Sequence, residues 1–186
     1  MNKILLFVFA IILYSCSSPA KLVNQNSINN FYTDGSNVNW ERVIEYPNSD
    51  SLNIVNWFKT QFTITNDSNN MLVGSARKII LPYKNAGYSN LKVIESISGE
   101  CDVFFNIEFK ENRFKIIVTK IVWYDSISFL VTQYIAVNEN LVTELKTIAL
   151  KNGVFKDKFV KKTSKQLDDI LVTLFKPKPL VGKINW

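Results

Sequence analysis

The sequence predicts an α+β domain in which an antiparallel sheet of about five strands carries helices on one face. Residues 101–110 and 113–124 alternate apolar and polar side chains and are separated by two residues, as in a β-hairpin. Residues 52–62 and 167–174 instead repeat apolar side chains at helical spacing. Because an amphipathic helix must bury its apolar stripe, we expect both helices to pack on one face of the sheet.

The first elements follow from residue 40. Residues 40–46 alternate and are rich in β-branched side chains, which predicts a strand. Residues 47–50 (Pro-Asn-Ser-Asp) predict a turn that caps the next helix, because Ser and Asp side chains accept hydrogen bonds from free backbone amides. The apolar stripe of this helix is formed by Leu52, Val55, Phe58 and Phe62, with Ile54 and Trp57 beside it.

The middle of the chain predicts strands. Residues 71–81 form one, in which Gly74 indicates a bulge or a close contact. We place a short strand near residues 91–97. In the hairpin of residues 101–124, the polar side chains of the first strand face solvent. The second strand is predicted to point the following side chains toward the core: Phe114, Ile116, Val118, Val122 and Tyr124.

Helices dominate the predicted C-terminal part. Residues 126–136 fit either a strand or a helix. Residues 141–150 predict a helix with Gly153 as its C-cap. Thr163 and Gln166 fit a capping box at the start of the last helix, which Pro177 ends. The predicted order is β-α-β-β-β-β-α.

The N-terminus has the pattern of a lipoprotein signal peptide. Lys3 precedes eleven uncharged residues, 4–14, which are too few to span the roughly 30 Å of hydrocarbon but suit a secretory signal. The following Leu-Tyr-Ser-Cys resembles the bacterial lipobox. We therefore expect cleavage after Ser15 and acylation of Cys16, which would anchor the chain in a membrane.

Four regions follow from these patterns. Residues 1–15 are the signal peptide, and 16–39, rich in Asn and Ser, are predicted to form a flexible tether. Residues 40–176 are the folded domain, with a basic helical C-terminal part, and 177–186 are a tail. No acidic run follows the lipobox, which favours a bacterial outer-membrane location facing the periplasm.

Composition excludes several kinds of site. The chain has no His, which removes Ser-His-Asp and Cys-His nucleophiles and every His-ligated metal site. With Cys16 acylated, Cys101 is the only thiol, and its apolar neighbours predict a buried, inert side chain. We therefore expect no catalytic residue, cofactor or metal. The remaining candidates are interpreted as surface carboxylates (Asp102, Glu108, Glu111, Asp168 and Asp169), as core tryptophans (Trp40, Trp57 and Trp123), and as a free terminal tryptophan (Trp186).

Positive charge is concentrated at the C-terminal end. Residues 146–186 hold ten Lys and three Asp, a net charge of +7, whereas 16–145 carry −2. The excess has three interpretations: a solvated helix face, attraction to anionic lipid headgroups, or nucleic-acid binding. A lipid-anchored envelope protein rarely meets nucleic acid, so we expect no such partner. The candidate lipid contacts are Lys156, Lys158, Lys161, Lys162 and Lys165.

Part of the sequence resembles a family of uncharacterised bacterial secreted or lipidated proteins with a TBP-like fold. The resemblance covers about residues 40–124. It is carried by a strand, Pro turn and helix containing Trp57 and Phe58, then by Val73 and Gly74, and then by the late hairpin. The resemblance implies a fold and an export route but no activity.

These observations predict an envelope lipoprotein whose domain is a non-catalytic binding module. We expect an exposed sheet edge or face to contact a protein or glycan partner, by strand pairing where the partner offers a strand. The alternative is an envelope hydrolase that uses carboxylates or a His-independent Ser nucleophile.

Overall fold

In a computed structural model, the described residues form two antiparallel sheets and three α-helices. The described residues are 22–23, 27–35, 37–46, 51–68, 70–89, 97–124 and 142–177. In this part no helix is both long and apolar enough to cross a bilayer. The lipobox Cys16, the signal peptide, the predicted strand near 91–97 and the segment 126–136 lie wholly or largely outside the described residues.

The strands in chain order are β1 Leu22–Val23, β2 Ser27–Ile28, β3 Phe31–Asp34, β4 Asn37–Glu45, β5 Thr63–Ser68, β6 Met71–Ile80, β7 Glu100–Lys110, β8 Arg113–Tyr124, β9 Val142–Glu144, β10 Leu150–Lys151 and β11 Val154–Lys156. The helices are α1 Ser51–Gln61, α2 Leu145–Ala149 and α3 Ser164–Phe175, and a π-helical turn, Phe159–Thr163, precedes α3.

The main sheet has eight strands in the order β2-β3-β4-β8-β7-β6-β5, with β9 also paired to β8. A small sheet has the order β1-β11-β10. The α+β class is thus confirmed, whereas the expectation of about five strands in the sheet is wrong. Short strands such as β2 and β9 hold too few residues to show an alternating pattern.

The flexible tether predicted over 16–39 is wrong for its described residues from 27 onward, which form β2, β3 and the start of β4. Asn29 and Asn30 have φ values of 45° and 65° and form the turn between β2 and β3. Asn tolerates this left-handed conformation better than other side chains with a Cβ atom. Phe31 is fully buried and pairs with Trp40. Asn29 and Asn30 therefore serve to form a turn between two strands.

Helices α1 and α3 confirm the two helical segments but change their details. In α1 the buried residues are Ile54 and Phe58, whereas Leu52, predicted to lie in the stripe, is 67% exposed. In α3, Leu167, Ile170 and Leu171 are fully buried. The helix ends at Phe175, two residues before Pro177.

The capping box at Thr163 is wrong. Thr163 already has helical dihedrals, φ −65° and ψ −41°, because the π-helical turn runs directly into α3. Its hydroxyl donates to the carbonyl oxygen of Lys158 at 3.4 Å and makes no cap.

The helix predicted over 141–150 is shorter than expected and has a strand at each end. Only Leu145–Ala149 is helical, flanked by β9 and β10. Gly153, predicted as a C-cap, has φ 76° and follows Asn152 with φ 54°. These two residues form the tight turn between β10 and β11, where both central residues need a positive φ.

A β-bulge in β8 reverses the side-chain alternation that the sequence predicts. Phe104 pairs with Lys120 while Phe105 pairs with Val118, so Thr119 is an extra residue. Beyond it Ile121 and Trp123 are buried, and Val122 and Tyr124 are not. The predicted core positions of Val122 and Tyr124 are therefore wrong.

The core joins the sheet to α1 and α3 through aromatic rings. The Phe105 ring centroid lies 5.0 Å from that of Phe175 on α3 and 5.1 Å from that of Phe62, just after α1. Phe58 of α1 contacts Phe114 at 5.2 Å. Edge-to-face pairs of this kind add to the free energy gained by burying apolar area.

Candidate functional site

Strand β6 extends beyond its neighbour at one edge of the main sheet. Strand β5 pairs only with Met71–Ser75, whereas β7 pairs with β6 as far as Ile80. Among the described residues, 76–80 therefore have a strand on one side only. Alternate residues of such an edge direct backbone N–H and C=O groups outward, where another strand can bind them. The bulge at 77–78 interrupts this pattern, because the Lys78 N–H is bonded to Asp102.

The path of the chain after α1 creates this edge. Helix α1 ends at Gln61, and the Phe62 amide still donates to the Phe58 carbonyl oxygen. Strand β5 then begins at Thr63, opposite Ser75. The end of α1 thus lies beside the space that a longer β5 would fill.

An apolar groove of about 410 Å³ runs beside this edge. Its charged lining residue is Arg77, and Ile80 is 61% exposed. The volume falls in the range of pockets that bind small molecules or side chains. The other lining residues are apolar or neutral: Trp57, Gln61, Phe62, Thr63, Ser75, Ala76, Ile79, Pro82 and Leu174.

Arg77 is held in place by its neighbours. Its guanidinium carbon lies 5.7 Å from the centre of the Phe104 ring, and its Nε donates to the Ser75 hydroxyl at 3.4 Å. No ion pair to Arg77 is formed within the described part of the chain. A positioned guanidinium with no ion pair among the described residues suits a carboxylate.

Asp102, on the neighbouring strand β7, is hydrogen-bonded to the backbone of this edge. Arg77 and Lys78 together oppose Asp102 in a bulge of β6. The Lys78 amide donates to Asp102 Oδ1 and the Tyr124 hydroxyl to Oδ2, both at 2.8 Å. Because ionisation would remove this hydrogen bond, the pKa of Tyr124 is raised. Asp102 is only 6% exposed, so its predicted solvent position is wrong.

The other predicted carboxylates do not gather near Asp102. Glu108 lies six residues along the same strand, about 20 Å away, and pairs with Lys115 at 3.0 Å. Glu111 is exposed in the hairpin turn. In the described ranges no three His, Cys, Asp or Glu side chains are grouped to hold a metal ion.

Asp168 and Asp169, predicted to be surface charges, attach α3 to its neighbours. Asp168 Oδ1 accepts hydrogen bonds from Trp40 Nε1 at 2.7 Å and Asn30 Nδ2 at 2.9 Å. Asp169 accepts one from the Tyr88 hydroxyl at 2.6 Å. Burial, and then this hydrogen bond, raise the pKa of Tyr88 to about 12.

Cys101 and two serines, Ser75 and Ser164, are buried, and their hydrogen-bond partners among the described residues include no activating base. Cys101 is fully buried, as the sequence predicts, and burial raises the pKa of its thiol to about 12. The Ser75 hydroxyl oxygen accepts a hydrogen bond from Arg77 Nε, which is a donor and not a base. The Ser164 hydroxyl donates to the carbonyl oxygen of Val160 and accepts from Asn29, and neither partner is a base.

Four of the five candidate lipid-contacting lysines lie on the helical run that ends in α3. Lys158, Lys161, Lys162 and Lys165 are exposed, and spacings of three and four residues place them on one side. Lys161 pairs with Asp157 at 2.9 Å and Lys165 with Asp169 at 3.3 Å. Lys156 lies apart, on β11, where its ammonium donates to the carbonyl oxygen of Thr147.

The tryptophans divide between the core and the groove. Trp40 and Trp123 are buried in the core, whereas Trp57 is half-buried and lines the groove. Trp186 lies outside the described residues. The sequence reasoning missed Arg77, Ile79 and Ile80. The sequence feature that could have indicated them is the Arg-Lys pair at 77–78, which interrupts an otherwise uncharged strand and coincides with the bulge.

Comparisons with known proteins add one distant structural neighbour. No family model matches the chain, and no curated protein does. The chain is similar to a TBP-like protein from Parabacteroides distasonis, over 76% of this chain and 87% of that one, with a TM-score of 0.37 and 12% identical residues. So distant a likeness assigns neither family nor function, and the α+β class follows from the chain's own helices and strands.

Proposed function

We propose that this chain is a lipid-anchored protein of the bacterial envelope whose domain is a non-catalytic binding module. Its site is the edge of β6 over 76–80, and its partner is another envelope protein that contributes an extended segment. One observation carries the proposal: an edge with no partner strand among the described residues lies along an apolar groove. Strand addition supplies affinity through backbone hydrogen bonds and specificity through side-chain pockets.

The membrane anchor is proposed from the lipobox. A signal peptide over 1–15 and acylation of Cys16 would place the domain at the outer membrane, facing the periplasm. Metabolic labelling with a fatty-acid analogue should mark the wild-type chain and leave the Cys16→Ala variant unmarked. Equal labelling of both chains would contradict the anchor without bearing on the groove.

The binding site can be tested by photo-crosslinking in intact cells. A photoreactive amino acid replacing Ile80 lies in the groove and should crosslink an envelope protein, because the position is 61% exposed. The matched control is Val142, also apolar and 53% exposed, on β9. A crosslinking pattern shared by both positions, or an absence of adducts at 80, would contradict this site.

A second surface is proposed for the membrane itself. Lys158, Lys161, Lys162 and Lys165 are exposed and would contact anionic lipid headgroups. Each lysine near such a surface contributes about 1 kcal/mol. This contact would orient a domain that its lipid anchor already holds at the bilayer.

A further inference from the structure

The groove beside β6 has two walls of different chemistry. Trp57, Phe62 and Leu174 come from α1, from the residue that follows it and from α3, so they belong to the helical side of the sheet. Arg77 lies against Phe104, which alternates with the buried residues Val103 and Phe105 and so points to the other side. One wall is therefore apolar and the other cationic.

An added strand would meet these two walls with alternate residues. Successive side chains of a strand point to opposite faces of the sheet. A strand paired with 76–80 would thus place every second side chain over the apolar wall and the intervening ones beside Arg77.

Charge distinguishes the possible occupants of this edge. None of the described residues that line the groove is acidic, and both Arg77 and the neighbouring Lys78 are exposed. Pairing with the same edge of a second copy would bring four cations together, and like charges facing each other are unfavourable. Cations on an edge disfavour self-association in this way. They attract a strand that carries carboxylates.

We infer that the groove binds an extended peptide segment in which apolar and acidic residues alternate. This inference rests on the proposed function and specifies its partner. The backbone of the segment pairs with 76–80, an apolar side chain contacts Trp57, Phe62 and Leu174, and a carboxylate accepts hydrogen bonds from the Arg77 guanidinium. The Ser75 and Phe104 contacts hold that guanidinium before the peptide arrives.

The experiment measures binding of fluorescein-labelled peptides to the full chain by fluorescence anisotropy. The probe alternates valine and glutamate over six residues. One comparison peptide carries lysine for glutamate, and another carries a central proline, which removes a backbone donor. We expect the lysine peptide to bind about tenfold more weakly or worse, the effect of losing a charge-assisted hydrogen bond. The proline peptide loses a neutral backbone hydrogen bond and should bind several-fold, up to about tenfold, more weakly.

Variants assign the binding to the groove. Arg77→Gln removes the cation, and Ile80→Asp places a negative charge in the groove at an exposed position that the fold tolerates. Each should weaken binding of the valine–glutamate peptide by about tenfold. Arg113→Gln, which removes an exposed arginine of the hairpin, is the matched control and should change binding by less than about twofold.

The outcomes separate this inference from the function on which it rests. Equal binding of the glutamate and lysine peptides, or an Arg113→Gln effect as large as that of Arg77→Gln, would overturn the acidic partner. If a different envelope protein still crosslinks at position 80, the binding module stands. Adducts between two copies of this chain would instead identify a second copy as the occupant. Absence of adducts together with absence of peptide binding would overturn both proposals.

Discussion

At the scale of single residues, Gly74 has no room for a side chain. A Cβ atom there would lie 2.8 Å from the carbonyl oxygen of Thr63, 2.9 Å from Cδ1 of Ile64 and 3.1 Å from Cζ of Phe105. Because the nearest of these is a backbone atom, Gly74→Ala must shift β5 or the core. We expect it to lower the free energy of unfolding by about 1–3 kcal/mol, as measured by urea denaturation.

Gly99 provides the control for that measurement. A Cβ atom at Gly99 would lie 3.5 Å from the carbonyl oxygen of Tyr124, an ordinary van der Waals contact. Gly99→Ala should therefore change the free energy of unfolding by less than about 0.5 kcal/mol. An equal loss in both variants would show that the Gly74 contact is not what limits substitution.

Cys101 is predicted to be chemically inert in the folded protein. Burial, and then the nearby charge of Asp102, raise its thiol pKa to about 12, so the neutral thiol predominates at pH 8. The nucleophile in thiol reactions is the thiolate. Ellman's reagent at pH 8 should therefore find no fast-reacting thiol in folded mature protein and one per chain in guanidinium, since Cys16 would be a thioether. Rapid reaction without denaturant would contradict this burial.

Cys101 and Asp102 show what local sequence can predict at this scale. The apolar neighbours of Cys101 correctly predict its burial. Asp102 lies on the opposite side of the strand and was expected to be exposed. It is covered instead by Tyr124 and by the bulge containing Lys78, which come from two other strands. The alternation of apolar and polar side chains along a strand indicates which face of the sheet each side chain lies on. It does not indicate which other residues cover that face.

At the scale of elements, Asp168 fixes α3 to β4. Asp168→Ala leaves the buried indole N–H of Trp40 without this acceptor, which costs about 1–3 kcal/mol. Asp168→Asn keeps an oxygen that can accept from Trp40 and should cost less. Thermal or urea unfolding measures both values.

The comparison for Asp168 is a surface pair elsewhere in the fold. Asp67 pairs with Lys59, and its side chain is 54% exposed. Asp67→Ala should cost less than about 1 kcal/mol, because solvent screens exposed pairs. If Asp168→Ala cost no more than this, the hydrogen bond to Trp40 would not stabilise the docked helix.

Elements whose apolar side chains repeat with a regular period could be predicted from the sequence. Elements whose limits depend on a turn or a bulge could not. The β7–β8 hairpin and α3 follow from alternation and from helical spacing. Thr119 adds one residue to β8, and a pattern with a period of two then indicates the wrong side for Val122 and Tyr124. The turn at Asn29 and Asn30 contributed to an Asn-rich composition that suggested a tether.

At the scale of the whole molecule, the candidate site depends on contacts between distant segments. The edge over 76–80 exists because β5 stops pairing at Ser75, and the groove is completed by Leu174, about a hundred residues later. The sequence predicts strand β6, but the register of β5 against it is set by the whole fold. An exposed sheet edge could therefore be expected from the sequence, but its position could not.

The exposed lysines of the segment before and at the start of α3 (Lys158, Lys161, Lys162 and Lys165) lead to a prediction about how the whole domain binds a membrane. We expect the chain without residues 1–16 to bind vesicles containing anionic lipid, and binding to weaken steeply as salt rises, because the attraction is electrostatic and screened. Neutralising Lys158 and Lys162 together should reduce vesicle binding by about tenfold or more at low salt, since each lysine contributes about 1 kcal/mol.

Lys84 and Lys110, also exposed, are the charge-matched control pair, and their neutralisation should reduce binding less. Vesicle sedimentation measures all of these. Salt-independent binding, or equal losses in the two double variants, would show that net charge or apolar contact, rather than Lys158 and Lys162, attracts the domain to the bilayer.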